Sequence, residues 1–165
     1  MMRISACKLS ILMLVSALGY APALLAQTVE DDPDVYVQEP CTPEESRLPQ
    51  ETYSTEWAEV VYVSGGIGYC ESQEMQRIAR EYPLELMFVR KARASEQFLA
   101  SIPVTIKDGK GNLVLETVTQ GPILLVKLPA GKYVATGEYN GVVKTHRLAV
   151  TQKYQRVAFV WSVEN

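Results

Sequence analysis

Residues 98–165 contain a regular series of short apolar stretches separated by strong turn signals. Residues 108–112 (DGKGN) have the composition of a hairpin turn. Asn140–Gly141 is the strongest two-residue hairpin signal, because both central positions of a type I′ turn need positive φ. Between the turns, apolar and polar side chains alternate, as they do in strands with one buried face. The last stretch has one strongly apolar face, formed by Val157, Phe159, Trp161 and Val163. Because a second sheet must cover such a face, the pattern predicts a mainly β fold, a Greek-key sandwich.

Residues 57–97 predict a strand–helix–strand segment before these strands. Residues 57–63 and 84–89 are apolar stretches typical of strands. Between them, residues 71–82 carry apolar side chains at helical spacing, and Pro83 ends the predicted helix. We therefore expect residues 57–165 to form a single domain with one short helix.

The glycine-containing loop at residues 64–68 resembles the start of a phosphate-binding loop. It lacks the lysine and hydroxyl residues of a P-loop, and the carboxylates of Glu71 and Glu74 would repel a phosphate at the helix start. We interpret the loop as a plain connection.

Residues 1–26 predict a secretory signal peptide. Arg3 and Lys8 precede an apolar stretch at residues 9–19, and small residues follow up to Ala26, after which we expect cleavage. The apolar stretch is shorter than the ~20 residues that a membrane-spanning helix needs. The mature protein is therefore expected in the periplasm or secreted, without a membrane span.

Residues 27–56 form an acidic arm in which nine Asp and Glu residues face Arg47 alone. The arm also contains four prolines and few apolar residues. Because it can bury little apolar surface, we expect it to be largely disordered or to lie as an extended strap on the domain. A solvated linker is the interpretation that charge runs usually support, and autoinhibition of a basic face is the alternative.

Cys41 and Cys70 are the two cysteines that remain after removal of the leader. An even number of cysteines in an exported protein indicates a disulfide, here one that would tie the arm to the domain. A metal site would need more ligands than these two residues and the single His146 provide, and no cofactor is expected.

Catalytic constellations are disfavoured. Ser64 precedes two glycines, but Tyr62 occupies the position at which a nucleophile elbow requires glycine. His146 has no carboxylate or nucleophile placed beside it by the sequence, so we expect an ordinary half-exposed side chain. The sequence thus predicts no catalytic residue and no enzyme.

A basic cluster at Arg90, Lys91 and Arg93 is the predicted partner contact, although a solvated loop at residues 91–97 is the simpler interpretation. Nucleic-acid binding is disfavoured, since residues 57–165 hold thirteen basic against ten acidic side chains and no aromatic-basic signature. Five aromatic residues could form a platform for a carbohydrate or a peptide: Tyr133, Tyr139, Tyr154, Phe159 and Trp161. Their alternation along the chain favours a place in the core of the sandwich instead.

Three stretches of the sandwich resemble a known family. Residues 102–112 (IPVTIKDGKGN), residues 127–136 (KLPAGKYVAT) and the turn after Tyr139 are similar to the carboxypeptidase regulatory-like domain, which has a transthyretin-like, immunoglobulin-like sandwich fold. The resemblance covers residues 100 to about 163. It implies a non-catalytic module, because catalysis in that family belongs to an attached enzyme domain. The related hydroxyisourate hydrolases use several histidines, whereas this chain has one.

These features together favour a non-enzymatic exported β-sandwich that binds an envelope polypeptide or glycan through sheet edges or loops. One alternative is an enzyme of unrecognised type that uses Ser64, His146 or the Arg90 to Arg93 cluster near a cleft. Another is a purely structural envelope component. The surroundings of His146 discriminate the first two, because a base needs an acid and a pocket hydroxyl within hydrogen-bonding reach.

Overall fold

The computed structural model describes residues 39–92 and 95–162. The predicted signal peptide, the first part of the acidic arm, Arg93 and Val163 lie outside the described residues. Along the chain the elements are β1 (Gln50–Ser54), β2 (Glu59–Gly65), α1 (Tyr69–Ile78), a 3₁₀ helix (Ala79–Glu81), β3 (Leu84–Lys91), β4 (Glu96–Phe98), β5 (Pro103–Asp108), β6 (Leu113–Val118), β7 (Ile123–Lys127), β8 (Gly131–Tyr139), β9 (Val142–Val150) and β10 (Gln155–Ser162).

The strands form two sheets, which confirms the prediction of a mainly β protein built as a sandwich. The larger sheet has the order β1-β2-β7-β3-β10, with β4 paired to the last residues of β3. The smaller sheet has the order β6-β5-β8-β9. Strands β3 and β10 run parallel, and the other pairs are antiparallel. The Greek-key and transthyretin-like type of the sandwich stays a prediction.

The main core lies between the two sheets. Strand β3 contributes Leu86 and Phe88, and the smaller sheet contributes Ile106 and Leu115, all without solvent exposure. Burying each side chain of this size contributes about 1.5–3 kcal/mol. The predicted apolar face of β10 is confirmed in its described part: Phe159 and Trp161 are buried, and Val157 is partly buried against the same core.

A second, smaller core lies between helix α1 and the outer face of the larger sheet. Met75, Ala79 and Tyr82 pack there against side chains of β2 and β7, which are Val63, Ile123 and Leu125. The predicted helix at residues 71–82 is therefore present, but it begins at Tyr69 and finishes as a 3₁₀ helix. It buries the apolar face that the sequence spacing predicted.

Two strands occur where the sequence predicted none. Strand β1 lies within the arm, which we expected to be largely disordered or to lie as an extended strap on the domain, and its pairing with β2 agrees with the second alternative. Strand β4 lies within the expected polar loop. Every residue of β4 is exposed, and β1 alternates between exposed and partly buried residues. Backbone pairing to β2 and β3 holds these two strands. Because they bury few apolar side chains, their sequences show only weak apolar periodicity.

The predicted disulfide is confirmed. Cys41 and Cys70 are bridged with an S–S distance of 2.05 Å across a sequence separation of 29 residues. The bridge fixes the described end of the arm to the first turn of α1. In the part of the chain that the structure describes, no helix has the length and apolar character needed to cross a membrane.

Candidate functional site

Strand β3 separates the basic residues that the sequence grouped together. Consecutive side chains of a strand point to opposite faces. Arg90 follows Leu86 and Phe88 on the core side, and it is the register partner of Trp161 on β10. Lys91 lies on the other side, exposed, with its Nζ atom 3.9 Å from Glu96. Arg90 and Lys91 therefore do not form one site, and Arg93 is outside the described residues.

Arg90 lines a cleft of about 440 Å³ at one end of the sandwich. The cleft lies between the ends of β3 and β10 and the turn that joins β8 to β9. We call it the Arg90 cleft; its lining residues are Arg90, Tyr139, Asn140, Val142, Lys144, Trp161 and Ser162.

The β8–β9 hairpin places one wall of this cleft. Asn140 and Gly141 have φ values of 50° and 76°, as the predicted two-residue turn requires. The indole Nε1 of Trp161 donates a hydrogen bond of 2.9 Å to the carbonyl oxygen of Val142, which ties the edge of one sheet to the other. The ring of Tyr139 lies 5.8 Å from that of Trp161. These contacts fix the cleft wall before any ligand arrives.

The described lining of the cleft is positively charged. Arg90 and Lys144 both line it, and the described lining includes no Asp or Glu. The Nε atom of Arg90 is buried and makes no hydrogen bond to the described residues. The sequence identified Arg90 by its charge, but it gave no signal that Lys144 and Trp161 would lie beside it.

The glycine-containing loop before α1 offers no free anion site. Oε2 of Glu71 accepts hydrogen bonds from the backbone N–H groups of Gly66 and Ile67, at 3.0 and 2.7 Å. A carboxylate of the chain itself thus occupies the donors that a phosphate would use. This geometry agrees with the interpretation of the loop as a connection.

Ser64 and His146 lie in different sheets, on β2 and β9. The Ser64 hydroxyl is buried and accepts a 2.8 Å hydrogen bond from the backbone N–H of Gln120. The ring of His146 is half-buried and packs edge-on against Phe159, with 4.6 Å between centroids. No described hydrogen bond links either side chain to an acid, and no three potential metal ligands cluster within residues 39–92 and 95–162.

A buried carboxylate that sequence reasoning missed lies beneath helix α1. Glu85 has no solvent exposure, on the outer face of β3. Its Oε2 atom accepts a short hydrogen bond from the Tyr154 hydroxyl. Its Oε1 atom lies 2.6 Å from Arg156 Nε, an ion-pair contact in which the N–H is not aligned as a hydrogen bond. The signal in the sequence was the helix after β2, which had to cover one face of the sheet.

The environment of Glu85 shifts the titration of its two partners. Burial, followed by the hydrogen bond to Glu85, raises the pKa of the Tyr154 hydroxyl. Burial lowers the pKa of Arg156, but the charge and hydrogen bonds of Glu85 and Tyr154 outweigh that effect and raise it overall. Because the carboxylate is engaged within the chain, we interpret this cluster as structural, and the Arg90 cleft is the better candidate for ligand binding.

No family model matches the chain, and no curated protein matches it significantly. The geometry of the Arg90 cleft is therefore the basis on which a function can be assigned.

Proposed function

We propose that this protein is a non-enzymatic exported β-sandwich, periplasmic or secreted, that binds an envelope polypeptide or glycan in the Arg90 cleft. The observation that carries the proposal is the pair of cations, Arg90 and Lys144, in a cleft whose described lining holds no acid. Such a cleft attracts acceptor-rich or anionic groups and excludes most cationic ones.

The rigidity of the cleft supports recognition. Arg90 lies in a strand paired along its length to β10, and the opposite wall is a tight hairpin. Side chains of the protein that are held on strands and hairpins lose little conformational entropy when a ligand binds, which favours affinity.

The chemistry of the lining residues supports binding over catalysis. Ser162 and Tyr139 supply the hydroxyl groups of the cleft, and no histidine or carboxylate is among the described lining residues to activate them. The predicted signal peptide and the Cys41–Cys70 disulfide support export, because disulfides persist in oxidising compartments.

The test compares two variants that each remove one positive charge from adjacent positions of β3. The full chain with Arg90→Gln and with Lys91→Gln is used to capture partners from envelope extracts, and the affinity of each captured partner is then measured. We expect Arg90→Gln to weaken binding at least ~10-fold, about 1.4 kcal/mol. Lys91→Gln should leave it unchanged, because Lys91 lies on the opposite face.

Equal binding by the wild-type protein and the Arg90→Gln variant would contradict the proposed site. Both variants are first compared in thermal unfolding, so that lost binding is not confused with lost folding. If Arg90→Gln unfolds at a lower temperature, Lys144→Gln replaces it, since Lys144 lines the same cleft from the other sheet.

A further inference from the structure

We infer that the Arg90 cleft recognises the C-terminal carboxylate of a polypeptide; this inference rests on the proposed function and narrows its ligand. Three observations lead to it: the donors that line the cleft, the burial of Trp161, and two strand edges that meet there without a partner among the described strands.

The donors match a carboxylate. A guanidinium presents a planar fork that pairs with both oxygens of a carboxylate, and an ammonium adds a second positive charge. Arg90 and Lys144 supply these groups from facing sheets, and the Asn140 amide lies on the same lining.

The buried ring of Trp161 does not favour a glycan. Sugar rings bind proteins by lying flat on an open aromatic face. Trp161 is only 3% exposed, its Nε1 is already hydrogen-bonded to Val142, and its ring packs beside Phe159 and Tyr139. Val142, by contrast, is 54% exposed at the cleft, where it can contact an aliphatic side chain of a peptide.

Two edge strands meet at the cleft. Among the strands of residues 39–92 and 95–162, β9 pairs only with β8, and β10 pairs only with β3. Each therefore has an edge whose backbone N–H and C=O groups are free to pair with an added strand. β9 begins at the cleft with Val142, and β10 ends there with Ser162.

An added strand can pair with an edge in either direction, and the positive charge of the cleft favours the direction that brings a carboxyl end to it. A peptide that adds parallel to β10 runs toward Ser162 and brings its carboxyl end to the cleft. A peptide that adds antiparallel to β9 also brings its carboxyl end there, because β9 runs away from the cleft. Backbone pairing along an edge would supply affinity, and the carboxylate in the cleft would fix the register.

The test uses the full chain and a library of acetylated hexapeptides randomised at the last three positions, each made as the free acid and as the C-terminal amide. Binding is measured by fluorescence anisotropy. We expect the tightest free acids to lose at least ~10-fold in affinity on amidation. Arg90→Gln should lower the affinity of the free acids by a similar factor and leave little difference between acid and amide. Lys91→Gln should retain the difference.

The outcomes separate this inference from the proposed function. Equal affinity of acid and amide forms, or binding that depends only on an internal Asp or Glu of the peptide, would overturn the C-terminal carboxylate. Binding of a polyuronate that Arg90→Gln abolishes, without peptide binding, would overturn the inference and retain the proposed site. Binding of peptides or polyuronate that is insensitive to both Arg90→Gln and Lys144→Gln would overturn both.

Discussion

At the scale of single residues, charge alone did not show which side chains lie on the same face of a strand. The sequence grouped Arg90 with Lys91, yet the alternation of β3 sends them to opposite faces. Glu85 illustrates the same rule. Its neighbours Leu84 and Leu86 enter the main core, so its carboxylate points under helix α1 and is buried there with Arg156. Strand alternation explains the opposite faces, whereas the burial of Glu85 depends on the helix above it.

We expect Glu85→Ala to lower the free energy of unfolding by about 2–3 kcal/mol. Removing one partner of a buried ion pair costs about 3–5 kcal/mol, and the half-exposed Arg156 side chain reduces this figure because water can solvate it. Urea unfolding monitored by tryptophan fluorescence measures the change. The matched control is Glu116→Ala, an exposed carboxylate of β6, which should change stability by less than about 0.5 kcal/mol. Equal effects of the two substitutions would show that the ion pair is not stabilising.

At the scale of elements, strands with apolar alternation lie beside the clear turns that the sequence predicted at residues 108–112 and Asn140–Gly141. This holds for β5, β8 and β9. Strands β1 and β4 were not predicted, because their residues are mostly polar and each strand is held by backbone hydrogen bonds to a neighbour. The disulfide lies just before β1 in the chain and anchors that segment to α1.

Replacing both Cys41 and Cys70 by serine should lower the free energy of unfolding by about 3–4 kcal/mol, because the bridge restricts the unfolded chain across a loop of 29 residues. Urea unfolding of the double variant against the oxidised protein measures the loss. Hydrogen exchange should also speed up most in β1, the strand closest in sequence to Cys41. Unchanged stability of the double variant would show that the bridge does not restrict the unfolded chain.

At the scale of the whole molecule, the described part contains four tyrosines whose burial favours the neutral hydroxyl. Burial is the main reason that the pKa values of Tyr62, Tyr82, Tyr133 and Tyr154 are raised above their ordinary value of 10.0. Tyr62 links the two sheets, because it donates a 2.6 Å hydrogen bond to Glu51 and accepts one from Thr117. Ionisation of these hydroxyls would therefore act on contacts spread over both sheets.

We expect the protein to lose stability as the pH rises above about 10. A tyrosine whose folded pKa is raised stabilises the fold fully below its unfolded pKa, and the contribution is lost as the pH rises through the folded pKa. Urea unfolding at pH 8, 10 and 11, with tyrosinate absorbance in parallel, measures the effect. Tyr133→Phe should weaken the pH dependence, since it removes one of the four groups. Constant stability from pH 8 to 11 would contradict the expectation.

The sequence by itself determined the local features: the hairpin turn at Asn140, the amphipathic helix and the buried face of β10. Each depends on neighbouring residues, whose side-chain period and backbone preferences are set along the chain. Only the tertiary structure decided the parallel pairing of β3 with β10 and the meeting of Arg90 with Lys144. Those contacts join residues far apart in sequence, and pairing between strands, which local patterns do not specify, brings them together.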